Sequence, residues 1–185
     1  MIQIQIDPRR VQKKLENLEK GMSRAHVASA INASLRSTRV YASRLARLLV
    51  NWKAKEIYKD VSRNNKGDRI LIYSASGTGK LAGSLYMTSS QQNIMEFGAR
   101  RAAKGAVVTI WRGLGRQQYP RAWQQKYDPG PWFERVGKER LPFRSIKGPS
   151  MAEVLAPATE QMIDFASRRM EIEYQRKLRG ILARA

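Results

Sequence analysis

Cysteine is absent from the 185 residues and histidine occurs once. Without thiols there is no disulfide framework, no cysteine-ligated zinc and no cysteine nucleophile. The one histidine, His26, stands near the start of a long predicted helix with no acid close by in the sequence to suggest a partner, so a Ser-His-Asp arrangement has no sequence context. Metal sites built from His and Cys are excluded with it. Acidic residues are few: 15 Asp and Glu stand against 35 Lys and Arg, a formal charge of +20. No apolar run approaches the length that crosses a bilayer. The opening MIQIQIDPRR lacks the apolar centre of a secretion signal. The expected place of work is a cytoplasm, or something assembled in one.

What is present is a foldable chain of 42% hydrophobic residues, long enough for one domain with a real core. Its charge predicts attraction to an anion: DNA, RNA, an acidic protein or a membrane surface. Ile2, Ile4 and Ile6 alternate with Gln3 and Gln5, a short strand with one buried face. Asp7-Pro8 starts a helix, and Val11, Leu15 and Leu18 carry it toward Gly21. From Ala25 to about Val61 neither Pro nor Gly occurs. Ala28, Ile31, Leu35, Thr38, Ala42, Leu45, Leu49 and Trp52 recur at alternating steps of three and four, predicting one long helix with a seven-residue apolar seam. That seam packs on the chain's own sheet, or in part on a neighbouring subunit. Arg36, Arg39, Arg44 and Arg47 lie on its other faces, with Lys53, Lys55 and Lys59.

Residues 69–147 change to short strand candidates between turn signals: 69–74, 81–88, 93–97, 105–112, 118–124, 131–136 and 141–147. GARRAAKG, residues 98–105, is a basic loop carrying Arg100, Arg101 and Lys104. Tyr119, Trp123, Trp132 and Phe133 are sheet-face aromatics. They lie beside arginines, so base stacking is open to them, though core packing is the commoner role. Ser150 followed by Glu153 is a capping box opening a helix over 150–182, which Pro157 kinks or restarts. Its apolar face is Leu155, Ala158, Met162, Phe165 or Ala166, Met170 and Leu178. The fold class is α+β: a single domain over 1–185, with strand and helices in 1–65, an antiparallel sheet in 69–147 and a C-terminal helix in 150–182.

YSASGTGKLAGSL, residues 73–85, raises the question of a nucleotide site. A phosphate loop needs G-x-x-x-x-G-K-[ST], whose N–H groups wrap the phosphates and whose hydroxyl holds Mg²⁺. Here Ser74 stands where the first Gly is required, and Leu81 replaces the hydroxyl residue. Strand-like runs flank the segment, which reads as a glycine turn between two strands with an exposed Lys80. The carboxylates Asp60, Asp68, Glu96, Asp128, Glu134 and Glu139 are candidates for Mg²⁺, yet most sit among arginines and lysines that suit them to ion pairs. No catalytic constellation emerges, and no enzyme activity, cofactor or metal is expected.

PWFERVGKERLPFRSIKGPSMAEVL, residues 131–155, is the stretch with the most specific resemblance. It presents an aromatic and an arginine on a strand (Phe133, Arg135) and a basic turn at Lys138. Arg140-Leu141-Pro142-Phe143 follows, then Gly148-Pro149-Ser150 opening a helix. Upstream, Tyr119-Pro120-Arg121-Ala122-Trp123, residues 93–110 and Ala30-Ile31-Asn32 stand in matching order. This succession resembles the minor tail protein Z, or tail completion, family of long-tailed bacteriophages, with Arg121 in place of the family's usual Gly. The resemblance implies a structural virion protein at the head-proximal end of the tail, assembled in the bacterial cytoplasm. It implies a six-fold ring of copies around the DNA channel, beside the tail terminator, tail tube and neck proteins and the tape measure protein. Phage DNA is then a partner, a membrane is not, and Arg36, Arg39, Arg44, Arg47, Arg100, Arg101 and Lys104 are the channel candidates. The alternative is a sequence-nonspecific nucleic-acid-binding protein.

Overall fold

A computed structural model describes residues 2–5, 24–52, 57, 69–125, 130–139 and 141–182. The helix expected after Asp7-Pro8 lies outside these residues. So do Lys53, Lys55, Lys59, Asp60, Asp68, Asp128 and Arg140.

The architecture is α+β, with every strand pair antiparallel. In chain order come β1 (Ile2–Gln5), α1 (Arg24–Leu49), β2 (Ile70–Tyr73), β3 (Ser84–Met87) and a 3₁₀ turn (Ile94–Phe97). Then follow β4 (Arg100–Arg101), β5 (Ala106–Val108), β6 (Gln117–Tyr119), β7 (Ala122–Trp123), β8 (Phe133–Arg135) and β9 (Phe143–Ser145). Helix α2 (Met151–Leu155), a second 3₁₀ turn (Ala156–Ala158) and α3 (Thr159–Leu182) end the described chain. The strands form three small sheets, ordered β1-β3-β2, β4-β5-β6 and β7-β8-β9, where one sheet was expected. Two compact units result: Met1–Ala42 with Ile70–Met87 and Ala156–Ala185, and Ser43–Arg69 with Thr88–Leu155.

In the first unit, β3 lies between β1 and β2, with Leu85 opposite both Ile4 and Ile72. The α1 residues Ala28, Ile31, Leu35 and Thr38 are buried as their spacing predicted. Asn32 fastens the chain after β2 to this helix. Its Nδ2 donates to Ala75 O at 3.0 Å and its Oδ1 accepts from Ala75 N at 2.8 Å. Ser34 Oγ donates to Ala166 O at 2.7 Å, and Tyr41 stacks on Phe165 at 4.3 Å between ring centroids. Met162, Ala166 and Met170 are the buried stripe of α3, joined by Glu173 and Tyr174. Phe165 and Leu178 are half-buried flanks.

The seven-residue seam does not persist along α1. After Ala42 the buried positions are Ser43, Ala46 and Val50, while Leu49 is 38% exposed and Leu45 half-buried. A straight helix turns about 100° per residue, so a seven-residue repeat slips by about 20° each time. Steps of four carry the stripe from Thr38 to Val50. The helix also stops at Leu49 rather than near Val61. Leu49 O accepts from Arg112 N, Asn51 N donates to Ile110 O, and Val50 bridges Trp111. These strand-like bonds replace the helical ones.

In the second unit the segment 93–97 is a 3₁₀ turn, not a strand. Asn93 caps its start, with Oδ1 accepting from Met95 N at 3.0 Å, and Gly98 closes it in the left-handed conformation. The run 118–124 divides between β6 and β7, which belong to different sheets. Trp52, Phe97, Ile94, Trp132, Ile146, Met151, Val154 and Leu155 are buried here. Trp52 stacks on Phe97 at 5.1 Å. Arg69, 4% exposed, forms an ion pair with Glu96 and lies over the Trp52 ring. A buried guanidinium is tolerated only with such partners.

Candidate nucleic-acid interface

At about 100° per residue, Arg36, Arg44 and Arg47 fall on an arc of roughly 80°, on the side of α1 away from its buried stripe. Arg36 and Arg44 are exposed. Arg39 lies toward the stripe and is half-buried, and Arg47 is half-buried where the stripe has drifted toward it. Val40 and Leu48 share this side and are 43% and 69% exposed, so the basic arc is interrupted by apolar side chains. Arg100, Arg101 and Lys104 are exposed on β4 and the turn into β5. Successive strand residues point to opposite faces, so Arg100 and Arg101 do not share one surface. Arg36 and Arg44 on α1, and Arg100, Arg101 and Lys104 on β4 and the turn after it, thus offer exposed cationic groups of the kind phosphates attract.

The glycine-rich stretch is a hairpin loop between β2 and β3. The N–H groups of Thr78 and Gly79 donate to Ser76 Oγ, at 3.3 and 3.2 Å, and Gly79 O accepts from Arg24 Nη2 at 2.9 Å. Donors that a phosphate loop would turn to its ligand are bonded within the turn. Gly77 sits against α1: a Cβ there would lie 2.9 Å from Ala25 Cα. Glycine serves this close approach, and Lys80 is exposed.

The residues of the 140–150 motif join elements. Gly148 N donates to Gln92 O at 2.7 Å, and a Cβ on Gly148 would lie 2.6 Å from Phe97 Cε2. Only glycine lets the backbone cross that ring. Ser150 and Glu153 form the reciprocal box: Ser150 N donates to Glu153 Oε2 at 2.7 Å, and Glu153 N to Ser150 Oγ at 3.2 Å. Leu141 is 61% exposed, and the Leu141-Pro142 bond is cis. Pro157 restarts the helix through a 3₁₀ turn.

Asn93 is a node that spacing alone did not single out. Besides capping the 3₁₀ turn, its Oδ1 accepts from Trp132 N at 3.0 Å. Its Nδ2 donates to Trp132 O at 2.9 Å and Ser145 Oγ at 2.8 Å. The available signal was Asn93 directly before a turn that carries Glu96 three positions on, with Gly98 closing it. Phe143 was likewise missed as the third ring of a cluster with Trp123 and Phe133, at centroid distances of 5.3–5.4 Å.

Of the Mg²⁺ candidates, Glu96 pairs with Arg69 and Glu134 with Arg144, while Glu139 is exposed. Among the described residues no three His, Asp or Glu gather as a metal site. No described helix is long and apolar enough to cross a membrane. Burial, and then the Glu134 carboxylate, raise the Tyr119 hydroxyl above its ordinary value; burial raises Tyr174. Neither tyrosine belongs to a catalytic grouping. Comparison with protein families, curated proteins and solved structures finds no match to this chain.

Proposed function

We propose that the chain is a structural virion protein of a long-tailed bacteriophage, completing the head-proximal end of the tail as a ring around the DNA channel. The observation that carries this reading is the basic arc of α1, with Arg36 and Arg44 exposed. A channel wall needs positive charge that meets phosphates without reading sequence. The order of segments from Arg24 to Leu155 supplies the resemblance, and its motif residues Gly148 and Ser150 act as structural joints. A ring of subunits this basic brings like charges together, and DNA in the lumen neutralises them. Its neighbours are then further copies, the tail terminator, tail tube and neck proteins, and the tape measure protein.

The test is antibody-gold labelling of tailed phage particles from the source organism, viewed by electron microscopy. Gold at the head–tail joint is the expected result. Unlabelled, accessible particles, with the protein recovered in the host fraction, overturn the proposal. A free nucleic-acid binder then becomes the reading, because the same arc suits it.

A further inference from the structure

The sheet β7-β8-β9 places aromatic side chains where water reaches them. Trp123 is opposite Phe133 in the register, and Arg135 is opposite Phe143. Directly opposed residues share a face, and Phe133 and Arg135 are two apart on one strand, so all four side chains lie on the same side. The three rings contact one another, and Phe143 remains 44% exposed. At the hairpin end between β8 and β9, Val136 and Leu141 are 57% and 61% exposed. Arg135 and Lys138 are exposed beside them. Residues 131–147 hold five basic side chains (Arg135, Lys138, Arg140, Arg144, Lys147) against Glu134 and Glu139.

We infer that this aromatic hairpin is a docking surface for an acidic partner protein, which inserts a large apolar side chain beside Phe143 and sets carboxylates against Arg135 and Lys138. Three features select that occupant. The rings meet one another at tilted and edge-on angles of 36°, 75° and 78°, which does not offer the parallel platform that stacked bases use. Exposed Val136 and Leu141 add aliphatic surface, which suits a protein side chain. A second copy brings another +20 and the same basic hairpin, so like charges disfavour it. The inference stands on the hairpin alone and holds wherever the chain works.

The test is selection of binders to the intact chain from a random dodecapeptide library, followed by fluorescence anisotropy of the enriched peptides. Expected are peptides with one or two large apolar residues flanked by Asp or Glu, whose affinity falls at least tenfold on Phe143→Ala. Arg135→Glu, which leaves the rings in place, is expected to weaken them to a similar degree, and urea unfolding checks that both variants fold. No enrichment, or peptides indifferent to both variants, overturns the inference. Tighter binding of an oligo-dT strand that Phe143→Ala abolishes replaces the protein partner with nucleic acid. A concentration-dependent dimer in sedimentation that Phe143→Ala dissolves replaces it with a second copy.

Discussion

Replacing Asn93 by Ala removes four hydrogen bonds from one side chain, and the burial of each partner sets how much its loss costs. The cap on Met95 N contributes about 1 kcal/mol, as N-caps do. Trp132 N–H loses its acceptor, and Trp132 is 2% exposed, so water reaches the vacated position poorly. An unsatisfied buried donor costs about 1–3 kcal/mol. Trp132 O keeps a second donor in Ile146 N, and half-buried Ser145 turns to solvent, so the remaining two bonds add little. The sum is about 2–4 kcal/mol, a fall in Tm of roughly 5–15 °C for a chain of this length. All four tryptophans, Trp52, Trp111, Trp123 and Trp132, belong to the unit that contains Asn93. Tryptophan fluorescence in urea therefore reads that unit alone. Asn93→Ser keeps a capping hydroxyl but is too short to reach Trp132, so it should recover about 1 kcal/mol of the loss. A loss below about 1 kcal/mol for Asn93→Ala, or full stability in Asn93→Ser, refutes the assignment of Asn93 as the node.

Ser150→Ala should cost about 1 kcal/mol by the same assay, through the lost cap; an unchanged midpoint would mean that the box does not hold α2. Gly148→Ala pushes a methyl into the Phe97 ring and should cost about 1–3 kcal/mol, where a neutral result shows that the ring yields. The double variant Arg36→Gln/Arg44→Gln should reduce the salt slope of duplex DNA binding by about 2, and an unchanged slope places DNA elsewhere. Tyr119 has a raised pKa in the folded state, so the unfolded chain ionises first. Its contribution is complete below about pH 10 and declines as pH rises through the folded value. Absorbance at alkaline pH should show the Tyr119 and Tyr174 phenols titrating late, and Tyr119→Phe should remove one of the two.

Signals confined to a few residues were legible in the sequence. Ser150 and Glu153 bond each other within one turn, and the β2–β3 hairpin is bounded by its own turn, so each could be read locally. The same holds for the start of the α1 stripe, because Ala28 to Ala42 spans too few turns for the slip to accumulate. What was misread depended on partners far along the chain. Residues 93–97 carry apolar side chains compatible with a strand, and distant groups, Trp132, Ser145 and the backbone at Ile146–Lys147, hold Asn93 in place as a cap. Leu49 continues a good helical pattern, yet Arg112 N, 63 positions later, takes its carbonyl. The strands' division into three sheets is invisible to alternation, which shows that a strand exists but not which strand lies beside it. The candidate arginines were legible as charge, while exposure separated Arg36 and Arg44 from half-buried Arg39 and Arg47.

The first unit is assembled from three stretches that other sequence separates, and this sets a timetable for synthesis. β1 finds its place only after β3, some eighty residues later, has been made. The Ser34 hydroxyl waits for Ala166, 132 positions on. The second unit needs nothing beyond Leu155. On a ribosome adding about 5–20 residues per second, the second unit can close while the stripe of α1 still lacks α3. In that interval α1 lacks the α3 partners of Ser34 and Tyr41, and that side of the helix is open to chaperones and to neighbouring nascent chains. Truncation within α3 would prolong that state indefinitely, whereas the same number of residues lost from the loop at Gly113–Gly115 would leave the schedule intact.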